Sequence, residues 1–100
     1  MKKSVDEVMV EFNTSACYIY ESMFQHFLHA INNISRTKEE NVFKMQAAKY
    51  SSELNDQLRD LLQHLMNYNS IPKNHLQMQL QLQNGIQYYL HGFTLRVNAS

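Results

Sequence analysis

Residues 75–93 read HLQMQLQLQNGIQYYLHGF, and two architectures compete for them. From His75 to Gln83 apolar and polar residues alternate strictly, and Asn84-Gly85 follows, a strong hairpin signal. Propensity argues the other way. Leu, Gln and Met are good helix formers, and Ile86 is the only β-branched residue between Leu76 and Phe93. A two-residue turn would also put Gln77, Gln79, Gln81 and Gln83 on the face of Ile86, Tyr88 and Leu90, leaving the sheet no dry side. As a helix, the segment gathers Met78, Leu82, Ile86, Tyr89, Leu90 and Phe93 on one broad face, flanked by Leu76 and Leu80. We read it as a helix over about 73–95, weakened at Gly85 by about 1 kcal/mol relative to alanine, with Gly85 a possible kink.

Upstream of it, Asn69, Ser70 and Pro72 mark a turn. Proline disfavours helix at Ile71 and suits the first position of the next helix. Before this turn, Phe43, Ala47, Tyr50, Leu54, Leu58, Leu61, Leu65 and Tyr68 form one apolar stripe. Lys44, Lys49, Glu53, Asp56, Arg59 and Asp60 occupy the wet face. This predicts a helix over 38–68, opened by a Thr37–Glu40 capping box.

The first helix is predicted over 5–34, opened by a Ser4–Glu7 capping box and bent, if anywhere, at Asn13-Thr14-Ser15. One seam runs through Val5, Val8, Phe12, Ala16, Ile19, Met23, Phe27, Ala30 and Ile34. A second, at Val10, Cys17, Phe24 and Ile31, lies roughly 80–100° around the helix. Two seams call for two neighbours. At 1.5 Å per residue this helix would be about 45 Å long, so the molecule is elongated. The fold class is all-α: an elongated antiparallel helical hairpin plus a third helix, one domain over residues 1–100, completed as a multi-helix bundle by dimerisation.

Nine acidic residues balance nine basic ones, so no global field recruits nucleic acid or acidic membrane. Apolar residues make up 44% and charged residues 18%, a globular balance with enough apolar material for a core. No apolar run approaches the roughly 20 residues of a membrane span, and Asp6, Glu7 and Glu11 interrupt any leader-like start. A single cysteine, Cys17, excludes an intrachain disulfide and suits a reducing compartment, so a cytoplasmic location is expected. Its place in the second seam predicts a small buried hydrophobe. Asn13, Asn33 and Asn98 open Asn-x-Ser/Thr triplets that read as fortuitous without a secretion signal.

No reaction chemistry is legible. His26/His29 and Asp60/His64 are isolated pairs, short of the three or four ligands a metal needs. Asp6/Glu7 and Glu39/Glu40 sit in first helical turns, where capping explains them. The two glycines build no phosphate loop. We expect no enzyme activity, no cofactor, no metal and no small-molecule substrate. Lys73, Asn74, His75 and Gln77 imitate the start of a DNA-recognition helix but lack flanking basic charge. A small DNA-binding regulator is therefore only an alternative, and nucleic acid is not favoured.

The acids all lie at or before Asp60, and from Leu61 to Ser100 the only formal charges are Lys73 and Arg96. Interface cores lose charge and gain aromatics and Met. The C-terminal helix and the second seam thus predict a surface covered by a protein partner or by a second copy as a homodimer. Its candidate residues are Val10, Cys17, Phe24, Leu28, Met78, Leu82, Ile86, Tyr89 and Phe93. On that reading Phe24→Asp disrupts assembly more than it unfolds the chain. The function expected is a non-enzymatic interaction module: a small adaptor, chaperone or inhibitor. Leu58–Tyr89, with its Asn-Ser-Ile-Pro-Lys-Asn turn, Leu76, Gln81 and Tyr88, resembles the helix–turn–helix of type III secretion needle and inner-rod subunits. Those subunits have a shorter first helix and a longer C-terminal one. The resemblance implies, as an alternative, a subunit or accessory of a self-assembling secretion structure.

Overall fold

The computed structural model describes residues 4–72 and 75–100. Three helices, α1 (Val5–Ala30), α2 (Glu40–Tyr68) and α3 (Leu76–Asn98), each pack on both others. Ring pairs Phe27–Phe43 and Phe27–Tyr50 join α1 to α2, while Phe12–Tyr89, Tyr20–Phe93 and Phe24–Phe93 join α1 to α3. Gln57 of α2 meets Met23 of α1 at 3.8 Å, earlier on α1 and later on α2 than the Phe27 pairs, so α2 runs antiparallel to α1. The α1–α3 pairs, read in order, make α3 parallel to α1. The bundle measures 54 × 19 × 18 Å, an elongated shape.

The Ser4 hydroxyl accepts from the Glu7 N–H at 3.2 Å and donates to the Glu7 carboxylate. The predicted cap therefore starts α1. The helix runs through Asn13–Ser15, with the Thr14 hydroxyl bonded back to the Val10 carbonyl at 2.9 Å. It stops at Ala30 rather than Ile34. Asn32 and Ile34 N–H donate to the carbonyls of His29 and Ile31, closing turns in place of another helical turn. Ile34 still packs on the core from the loop.

The Thr37–Glu40 cap does not form. Ser35 does the work two residues earlier: its hydroxyl accepts from Lys38 N–H at 3.2 Å, and its own N–H donates to Glu39 Oε1 at 3.3 Å. This turn moves the start of α2 to Glu40, whose N-cap Glu39 makes no side-chain cap bond. At the other end Ser70 adopts a left-handed φ of 55°. Ile71 N–H reaches Met66 O at 2.8 Å and Ser70 N–H reaches Asn67 O at 3.2 Å, a Schellman closure with serine at the position glycine prefers.

Pro72 is not the first residue of α3. Lys73 and Asn74 lie outside the described residues, and α3 opens at Leu76 behind His75, whose Nδ1 accepts from Met78 N–H at 3.2 Å. It extends to Asn98, past the expected end. There Arg36, in the α1–α2 loop, donates to the Asn98 carbonyl at 2.7 Å and to that of Ser100. A cation on the last carbonyls satisfies unpaired acceptors and the negative end of the helix dipole. No strand occurs among the described residues, so the hairpin alternative is excluded for residues 76–98.

Gly85 does not mark a break; its missing side chain makes room. A Cβ there would stand 2.8 Å from Cε1 of Phe12, a ring with no exposed surface. At Gly92 the nearest atom would be the Tyr20 hydroxyl at 3.8 Å, an ordinary contact. Both replacements by alanine gain about 1 kcal/mol of helix propensity, but only the first overpacks the core, which costs about 1–3 kcal/mol. Urea unfolding is expected to show Gly85→Ala less stable than wild type by about 1 kcal/mol, and Gly92→Ala more stable by up to about 1 kcal/mol.

Candidate functional site

The core explains where the site is not. Val8, Phe12, Ala16, Met23, Phe24 and Phe27 from α1 meet Phe43, Leu54, Leu58, Leu65 and Met66 from α2 and Met78, Leu82, Ile86, Phe93 and Val97 from α3. No polar or charged residue is buried among the described ones, so no acid, base or nucleophile is desolvated there. No group of three or more His, Cys, Asp or Glu converges among the described residues. His26 and His29 are exposed on α1, and Asp60 and His64 line different grooves. Tyr68, assigned to the α2 stripe, is 72% exposed beside His64, while Met66, outside that stripe, is buried.

Five of the nine residues assigned to a partner surface are internal: Phe24, Met78, Leu82, Ile86 and Phe93. The chain covers the inner face of α3 with its own α1 and α2. Phe24→Asp would therefore place a carboxylate in the core and unfold the chain. Leu28 and Tyr89 are half-buried against the core. Val10 and Cys17 are exposed, so the expectation of a buried Cys17 fails. A seven-residue repeat rotates by about 20° per heptad on a straight helix. From Val10 to Ile31 the second seam turns by about 60°, and only its later half reaches the core.

Cys17 lines a groove of ≈ 470 Å³ between α1 and α3. Cys17, Tyr20 and Glu21 form one wall; Tyr88, Tyr89, His91, Gly92 and Leu95 form the other. Small side chains at Cys17 and Gly92 leave the hollow, and the larger neighbours border it. Tyr89 is fixed across it: its ring meets Phe12, Tyr20 and Tyr88, and its hydroxyl donates to the Asn13 carbonyl at 3.3 Å. Burial lifts the Tyr89 phenol above its ordinary pKa, helped by the Cys17 and Tyr88 groups. The neutral phenol thus favours folding; that stability is complete below the ordinary value and is lost as pH rises through the raised one.

At the far end Arg96 bridges the two helices. Its guanidinium lies 3.8 Å from the centroid of the Phe24 ring and 5.6 Å from that of Tyr20, and Nη1 donates to Glu21 Oε1 at 2.8 Å. The Glu21 hydrogen bond, the largest influence, raises the Arg96 pKa. Reading the sequence missed both arginines. Their hydrogen-bond partners lie more than sixty residues away in sequence, where no local pattern records them.

No family model, no curated protein and no solved structure matches the chain. The likeness to needle and rod subunits therefore rests on residues 58–89 alone. No described helix is long and apolar enough to cross a membrane.

Arg96 holds the groove mainly through the ring beneath it. An exposed ion pair contributes about 0.2–1 kcal/mol and is screened by salt, whereas a partly desolvated cation–π contact contributes about 1–2 kcal/mol. Arg96→Ala is expected to cost about 1–2 kcal/mol and Glu21→Gln under about 1 kcal/mol. In thermal melts, high salt should bring the Glu21→Gln deficit close to zero and shrink the Arg96→Ala deficit only by the ion pair's share, leaving the cation–π part in place.

Proposed function

We propose that this chain is a non-enzymatic protein-interaction module, working as a small adaptor, chaperone or inhibitor. Its binding surface is the α1–α3 groove with the adjoining outer face of α3. One observation carries the reading: Leu80, Tyr88 and Leu95 are 62%, 74% and 57% exposed on a helix whose only formal charge, Arg96, is engaged by Glu21. Large apolar side chains on an uncharged, aromatic-bordered surface fit the composition of a protein-binding patch. The partner-facing residues are then Cys17, Tyr88, Tyr89 and Leu95, with Val10 on the neighbouring α1–α2 groove. An exposed free thiol suits a reducing compartment such as the cytoplasm.

Self-assembly, the alternative raised by the resemblance to secretion subunits, is favoured by the same neutral helix. DNA binding has no comparable support, because the His75 ring that would open a recognition helix is spent on capping α3, and Lys44 pairs with Glu40.

Cys17 supplies the test. A benzophenone attached to this single thiol is expected to photo-crosslink a protein partner in extract of the source cells. Leu95→Glu should lower the yield at least about tenfold without changing the melting temperature appreciably, since a charge buried opposite an apolar partner costs several kcal/mol. An adduct pattern identical for wild type and Leu95→Glu would refute the groove as the binding surface.

A further inference from the structure

The outward side of α3 shares Tyr88, His91 and Leu95 with the rim of the groove and continues past it to Leu80. Leu80, Asn84, Gln87, Tyr88, His91 and Leu95 are all exposed. At 100° per residue they fall in a stripe about 100° wide. It lies opposite the buried Met78, Leu82, Ile86 and Phe93. The stripe is nearly palindromic. Read against a reversed copy, Leu80 meets Leu95, Asn84 meets His91 and Gln87 meets Tyr88: apolar opposite apolar, hydrogen-bonding group opposite hydrogen-bonding group.

Charge decides what can lie on it. A two-fold interface brings a surface against itself, so a face of a single sign meets its own sign, whereas a neutral face meets no such repulsion. The wet face of α2, with Lys44, Lys49, Glu53, Asp56, Arg59 and Asp60, offers no such stripe. The outer face of α3 carries no formal charge; Arg96 points to α1, onto Phe24 and Glu21. Asn and Gln amides carry both donors and acceptors, so a copy of this face can satisfy the same face. A strongly charged partner would find no counter-charge there.

We propose that α3 pairs antiparallel with α3 of a second copy through the stripe Leu80–Asn84–Tyr88–His91–Leu95, with the two-fold axis between Gln87 and Tyr88. The inference rests on reading the chain as an interaction protein and names its partner as itself. Antiparallel pairing also sets opposed helix dipoles side by side and places Asn84 against His91 of the other copy, where an amide and an imidazole can share a hydrogen bond. A contact of one helix per partner lies at the small end of interfaces, so the dimer is concentration-dependent.

Sedimentation equilibrium from micromolar to near-millimolar chain should show the mass rising from 11.8 kDa toward twice that value, and Leu80→Glu should abolish the rise while leaving the helical circular-dichroism signal intact. Orientation is read by disulfides in a Cys17→Ser background. Leu80 and Leu95 are about 22 Å apart along the helix. Chains with Leu80→Cys alone, or Leu95→Cys alone, should not crosslink to themselves on mild oxidation, whereas an equimolar mixture should form the 80–95 heterodisulfide. Self-crosslinking of the Leu80→Cys chain overturns the antiparallel register. A monomer at every concentration overturns the pairing altogether; if the Cys17 photo-crosslinker still captures a Leu95-dependent protein, the interaction reading survives without it.

Discussion

The bundle is tied at Phe27. This ring, wholly buried, contacts Phe24 on its own helix, Phe43 and Tyr50 on α2 and Phe93 on α3, with centroids 5.6–6.4 Å apart. Aromatic pairs prefer edge-to-face geometry over flat stacking, and most of these pairs adopt it. Such a cluster sets height as well as contact. Sliding α3 by one turn, about 5.4 Å, would lift Phe93 off Phe27. It would also drive the backbone around Gly85 away from Phe12, the ring that needs the gap there. The register of the parallel pair α1–α3 is thus fixed at two points along its length.

The two arginines follow from that register. Arg96 can reach the Phe24 ring only because Phe93, one turn earlier, already packs against the same ring. Arg36 lies 5.0 Å from the Phe43 centroid and spans to the end of α3. Both cations serve contacts within the chain, over aromatic faces and helix carbonyls. Neither remains as a free charge on the outside of α3, which is why that helix presents amides, tyrosines and leucines to water.

Much of this was legible in the sequence, and the gaps have physical causes. The main seam of α1 reads correctly from Val8 to Phe27 because contact spacings of three and four survive any modest change in helix direction. The choice of helix over hairpin at 76–98 came from counting β-branched residues, a local property that tertiary context did not reverse. The second seam misled because a heptad spacing was treated as one face: Phe24 is core and Cys17 is surface, seven residues and about 20° of rotation apart. Gly85 looked like a weakness, since propensity measures a glycine's cost and is blind to the neighbour that requires its absence of side chain. Caps at Ser4 and Ser35 obey the same hydrogen-bond logic, but Thr37–Glu40 offered a competing pattern two residues on that only the loop geometry rejects.

On sequence alone, the scarcity of charge in the last forty residues reads as a sign that the C-terminal segment is covered. Half of that signal has an internal explanation, because the inner face of α3 is dry against α1 and α2. What remains is sharper. A helix needing only solubility on its outer face would do better with Glu and Lys four residues apart, which also support helix formation. Glutamine keeps comparable helix propensity while contributing no charge. The outer stripe forgoes that solubility and still exposes Leu80, Tyr88 and Leu95, the composition of a protein-binding patch. A neutral stripe is compatible with a surface that faces its own copy, since no single-sign repulsion arises across the two-fold.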